Sequence, residues 1–231
     1  MKVNHLHIAS ILLTGFTFRA TAQLAFQHES LTNRWGIGAG TSVVPFIGGM
    51  SGPETPLSAT RYYDTFDIGY GLRCEGYYDW SSHLRIVMGG VHNQWEGKYF
   101  AGGEFPNGVQ FGDFSLTGGY IGARLCFLPA SKLRPYLLSN IGIVNLSSVD
   151  VRTDSGTMPY WEDTWRDYFD IGVGAEYQIN DRACVYLDVR LEAFGKPDSA
   201  QPNIATAGEF TIADATGGQC LPICLGVNYN F

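Results

Sequence analysis

The sequence predicts an all-β fold, an eight-stranded antiparallel up-and-down transmembrane β-barrel with short periplasmic turns and long extracellular loops. Three observations point to it. Apolar and polar residues alternate with period two in segment after segment, which places one class on each face of a strand. The links between those segments are short and long in turn, as the two rims of a membrane barrel require. The composition is apolar yet poor in charge: of 231 residues 45% are hydrophobic, 16% charged and 14% aromatic, and 29 are glycine. Such a chain is neither disordered nor coiled-coil-like.

The first 22 residues read as an export signal. Lys2 supplies the positive start, Ile8 to Phe18 the apolar stretch, and Ala20-Thr21-Ala22 a small-x-small site with cleavage expected after Ala22. The barrel domain is then 23–231. Without Lys2 and Arg19 the mature chain has 13 basic against 22 acidic residues, a net −9. So acidic an exported chain lacks the basic patch that a nucleic acid needs.

Strands are expected near 34–47, 66–75, 84–92, 113–127, 135–146, 169–179, 183–193 and 221–231. In the seventh, Ala183, Val185, Leu187, Val189 and Leu191 oppose Cys184, Tyr186, Asp188, Arg190 and Glu192. In the second, Phe66, Ile68, Tyr70 and Leu72 oppose Asp67, Gly69, Gly71, Arg73 and Glu75. The fourth changes phase near Gly118-Gly119, which predicts a β-bulge there. The links near 79–83, 129–134 and 180–182 are short; those near 48–62, 93–112, 147–166 and 195–218 are long, rich in turn residues, and read as flexible, solvated loops.

The polar face is the wrong kind for water. It carries glycine and a few charges of both signs, and the mature chain has only Lys98, Lys132 and Lys196 as lysines, all in links. The expectation is therefore an inverted barrel: the apolar face meets lipid, and Arg73, Arg85, Arg124 and Arg190 pair with Glu75, Glu176, Asp188 and Glu192 to plug a narrow interior. Trp35, Tyr62, Tyr63, Tyr77, Tyr78, Trp80, Phe127, Tyr136, Tyr168, Phe169, Tyr229 and Phe231 near strand ends suggest interfacial girdles. A soluble secreted barrel of lipocalin type alternates too, but with apolar residues inward.

Gly-rich alternating strands (Trp35-Gly36-Ile37-Gly38-Ala39-Gly40, Asp170-Ile171-Gly172-Val173-Gly174-Ala175), the export signal and the aromatic end together resemble the bacterial outer-membrane β-barrel domain family of small OmpA-like, porin-family, eight-stranded proteins. The terminal Gly226-Val227-Asn228-Tyr229-Asn230-Phe231 is similar to that family's insertion signal, with Gly226, Tyr229 and Phe231 in its pattern. The resemblance implies the outer membrane of a diderm bacterium, with outer-membrane lipid and the barrel-assembly machinery as partners. It brings no catalytic residues.

No chemistry rises above this architecture. His28, His83 and His92 show no zinc-ligand spacing, and no metal or cofactor is expected. A lipid-modifying enzyme would need a histidine base beside a serine; His92 near Ser115, Ser147 or Ser148 lacks the His-x-Ser-Asn pattern, and a polar rim residue is the expectation. Gly36-x-Gly38-x-Gly40 fits no phosphate loop. Asp150, Asp154, Glu162, Asp163, Asp167 and Asp170, with Trp161 and Trp165, read as a solvated acidic loop without a calcium register. The five cysteines are expected unpaired and buried. The leading reading is a non-enzymatic barrel with an envelope role or a ligand at its loops. The rivals are a small porin-like channel or transporter and a lipid-modifying outer-membrane enzyme.

Overall fold

A computed structural model describes residues 34–49, 61–102, 105–153, 156–199 and 216–231. The expected export signal, with His28, lies outside the described residues.

Eight long strands form the barrel: β1 (Arg34–Val44), β2 (Gly69–Asp79), β3 (Leu84–Trp95), β4 (Phe114–Cys126), β5 (Leu133–Leu146), β6 (Thr164–Gln178), β7 (Ala183–Phe194) and β8 (Ile223–Asn230). Each pairs antiparallel with its chain neighbours, and β1 closes on β8 from Gly36 opposite Asn230 to Val43 opposite Ile223. Closure leaves no backbone edge in the wall, the condition for a sheet in hydrocarbon. The tight turns cap themselves: Ser81 Oγ accepts the Leu84 amide at 3.0 Å, and Asn180 Oδ1 accepts those of Arg182 and Ala183 at 2.9 Å.

Orientation follows the inverted pattern. Leu187 and Val173 are 55% and 57% exposed, whereas Asp188 and Glu176 are 1% and 0% exposed. On β5 the outward series from Leu133 to Ile143, apolar except for Ser139, spans about 25 Å at about 3.3 Å per residue and a tilt near 40°. Trp35, Trp80, Phe127, Tyr177, Tyr229 and Phe231 ring the short-turn end of this belt. Inward glycines make room for tyrosines from the neighbouring strand: a Cβ on Gly174 would meet the Tyr136 ring at 2.6 Å, and one on Gly89 the Tyr120 ring at 2.8 Å.

Several expectations need correction. No bulge interrupts β4, whose register with both neighbours is continuous; Phe114, Leu116, Tyr120, Arg124 and Cys126 all point inward. The apparent phase change is a change in what the interior is made of. Phe66 is buried and Asp67 exposed, so the second strand begins later, at Gly69. Tyr62, Tyr77, Tyr136 and Tyr168 belong to the interior, not to the girdles.

The described parts of the long connections are folded. Tyr99–Gly102, Phe105–Phe111, Val149–Thr153, Gly156–Glu162 and Asp198–Ser199 make a separate five-stranded sheet beyond the barrel mouth. Phe46–Gly48 and Gln219–Cys220 pair at the rim, beside a one-turn helix, Tyr62–Thr65. Apolar residues buried inside these loops, Val149, Val151, Tyr160 and Trp161 among them, give the sheet a reason to form.

Candidate functional site: a paired-charge lumen under an aromatic cap

The interior divides by height. Its lower part holds the buried charges: Arg73, Arg85, Arg124, Arg134 and Arg190 with Glu75, Asp79, Asp170, Glu176, Asp188 and Glu192. Five guanidiniums thus face six carboxylates, close to neutrality, as burial of charge demands.

Glu176, on β6 near the short-turn end, is the hub. Arg85 reaches one of its oxygens at 2.5 Å and Arg134 the other at 3.0 Å, while Arg124 lies at 3.5 Å and the Asn228 amide donates at 2.8 Å. Arg85 also holds Asp79 at 2.7 Å, and its guanidinium stacks 3.9 Å from the centre of the Tyr77 ring. Higher up, Arg124 pairs with Glu75, and Arg190 with Asp188 at 2.8 Å. The Tyr136 hydroxyl donates to Asp188 at 2.9 Å.

A third layer joins Arg73 to Glu192, which also accepts from Asn93 at 3.0 Å. Asp170 takes hydrogen bonds from Asn140 at 2.6 Å and from Tyr168 at 2.9 Å, and lies 3.6 Å from both Arg73 and Arg190. All eight charged residues singled out from the sequence lie in the lumen. Asp79, Arg134 and Asp170 were missed as members. The same alternation marks them, since Asp79 is in phase with Arg73 and Glu75, Arg134 with Tyr136, and Asp170 with Glu176.

Above Asn93 the inward positions turn aromatic. Phe46, Tyr62 and Phe66 from the first long connection meet Trp95, Phe114, Trp161 and Phe194, all buried. Ring centroids lie 4.7 Å apart for Phe46 and Trp95, 5.3 Å for Phe114 and Trp161, and 5.7 Å for Tyr62 and Phe194. The Trp95 indole donates to the Val44 carbonyl at 2.7 Å, and the Tyr62 hydroxyl to the Thr216 carbonyl at 3.0 Å. Burial pushes the Tyr62 phenol well above its ordinary range, so it stays a neutral donor.

The other candidates fall elsewhere. His92 points outward and bonds Thr117 at 2.7 Å; His83 contacts Ser82 in a turn at 2.9 Å. Ser115 receives its partner from Ser147, whose Oγ accepts the Ser115 amide at 2.8 Å. Asp150, Glu162, Asp163 and Asp167 are exposed, Asp170 is in the lumen, and Trp161 is in the cap; Asp154 is outside the described residues. All five cysteines are free thiols. Cys126, Cys184, Cys220 and Cys224 are buried, but Cys74 is exposed on the outer wall, a correction its outward phase on β2 explains. Gly226 faces the interior, while Tyr229 and Phe231 lie on the outer belt with ring centroids 5.7 Å apart.

No protein-family model matches the chain, and no curated protein matches it. Solved structures do. Neisserial surface protein A is 14% identical with a TM-score of 0.52, over 85% of this chain and 97% of that one. OprG, an outer membrane protein from Pseudomonas aeruginosa, is 12% identical with a TM-score of 0.49, over 87% of this chain and 96% of that one. Ail, the attachment invasion locus protein of Yersinia pestis, is 12% identical with a TM-score of 0.45, over 87% of this chain and 99% of that one. At 14% identity the likeness to Neisserial surface protein A is one of fold alone: a closed, eight-stranded barrel of the outer-membrane type.

Proposed function

We propose that this chain is an integral, non-enzymatic outer-membrane β-barrel that anchors a folded extracellular platform and offers it to ligands outside the cell. One observation carries the reading: all four long connections contribute to a single structured assembly. Phe46, Tyr62 and Phe66 come from the first; Phe111 comes from the second, flanked by Trp95 and Phe114; Val149 and Trp161 come from the third; and Cys220 comes from the fourth, beside Phe194. Loops with no recognition role need not pack together; a platform must hold its shape while it is bound.

Two further features support it. The lumen is crowded by paired side chains below and by rings above, which argues against a conducting pore. His92 bonds Thr117, and the Ser147 hydroxyl is taken by the Ser115 backbone amide, so among the described residues His92 is not held against a serine nucleophile. Insertion would use the barrel-assembly machinery through Gly226, Tyr229 and Phe231, after removal of residues 1–22. The test is an outer-membrane fraction run on a gel with and without boiling, followed by planar-bilayer recording of the purified protein. Heat-modifiable migration without stable conductance steps is expected. Heat-insensitive migration overturns the barrel reading, and large stable steps overturn the plugged lumen.

A further inference from the structure

The lipid-facing wall is not uniform. Over β5 to β8 it is studded with branched apolar side chains such as Ile141, Ile171, Leu187 and Leu225. On β3 and β4 the outward positions Gly90 and Gly119 oppose each other in register and leave the wall one side chain shallower. The result is a groove walled by Met88, Ile121, Ile141 and Ile143 and overhung by Trp165.

A polar ledge lies directly above this groove. His92, Thr117, Asn145 and Trp165 are successive cross-strand neighbours on β3, β4, β5 and β6. The His92 ring bonds Thr117 at 2.7 Å, and the Asn145 amide donates to Asp163 at 2.6 Å. Trp165 is 62% exposed. The charge of the ledge selects among headgroups. Asp163 and Asp167 flank Trp165, and the neighbouring Arg166 is committed to Asp198 and to backbone carbonyls. No lysine or arginine points outward along this row, so a phosphate would meet carboxylates without a counter-charge. Hydroxyl-rich, uncharged groups suit the mixture of amide, hydroxyl and imidazole, and an open indole face suits a sugar ring.

We propose that this wall binds one lipid selectively: a glycolipid whose acyl chain fills the groove and whose uncharged sugar headgroup rests on the ledge against Trp165. The inference rests on the membrane reading above, because only a bilayer-embedded wall meets lipid. The probe is a phosphatidylcholine vesicle containing equal small fractions of monogalactosyl diacylglycerol and phosphatidylglycerol with matched acyl chains. The protein is folded into it, extracted, and its retained lipids are weighed by native mass spectrometry.

The expected result is a galactolipid-to-phosphatidylglycerol ratio at least about fivefold above that of the vesicle. Trp165→Ala and Gly119→Leu should each return the ratio to the bulk value, while Leu225→Ala on the opposite wall leaves it unchanged. Should Gly119→Leu fail to fold, as judged by its heat-modifiable migration, Trp165→Ala alone decides. A bulk ratio in the unmodified protein, a preference for phosphatidylglycerol, or a ratio that neither variant moves overturns the proposal. A protein that stays out of the vesicles altogether overturns the membrane reading instead.

Discussion

The lumen and the strand-borne half of the cap (Trp95, Phe114, Leu116 and Phe194) continue the same inward-facing series, yet the two regions are held by opposite physics. On β7 the inward series runs Asp188, Arg190, Glu192 and then Phe194; on β4 it runs Arg124, Tyr120, and then Leu116 and Phe114. Below, each charge is stabilised only while its partners are present, because a bare ion in low dielectric is expensive. Above, rings gain from burial and dispersion, and no single partner is indispensable. The lumen should therefore fail as a network, and the cap as a local core.

That contrast can be broken experimentally. Glu176→Leu strips three arginines of their shared carboxylate and should destabilise the whole barrel by about 3–5 kcal/mol, read as a shift in urea unfolding in vesicles. Trp161→Ala removes a fully buried ring and should cost about 3 kcal/mol, but locally. Its signature is rapid protease cleavage of the long connections with heat-modifiable migration intact. If Trp161→Ala instead abolishes heat-modifiable migration, the two regions are one cooperative unit.

Two smaller effects sharpen the comparison. Exchanging Asp188 and Arg190 together for apolar residues should be milder than Arg190→Ala alone, for which about 3–5 kcal/mol is expected. Last, Tyr62 links the cap to alkali. Its folded-state ionisation is raised, so its contribution is complete below about pH 10 and fades as pH climbs beyond it. Protease resistance of the cap should drop there. Tyr62→Phe should remove that drop while losing about 1 kcal/mol for the bond to the Thr216 carbonyl.

Strand parity was legible in the sequence on every strand but the fourth, and with it the orientation of Leu187 against Asp188. Depth was not. Alternation says which side a residue faces but carries no information on how high along the barrel axis it sits. For that reason Leu116 and Phe114 imitate a slipped register when they are merely further up. Tyr77, Tyr136 and Tyr168 mislead similarly, since a tyrosine near a strand end suits a membrane interface and a charged interior equally well. The loop sheet escaped because Val149, Val151, Tyr160 and Trp161 are interleaved with Asp, Gly, Thr and Pro, and their common burial exists only once distant connections meet.

The seam between β1 and β8 joins stretches that lie almost the whole described chain apart, with the Phe231 amide donating to the Trp35 carbonyl at 2.9 Å. Until that join forms, both strands present unpaired amides that hydrocarbon cannot satisfy. A half-curled sheet has no stable residence in the bilayer, so folding and membrane entry must finish together. Shortening the chain by its final strand would thus produce an aggregate and not a smaller barrel.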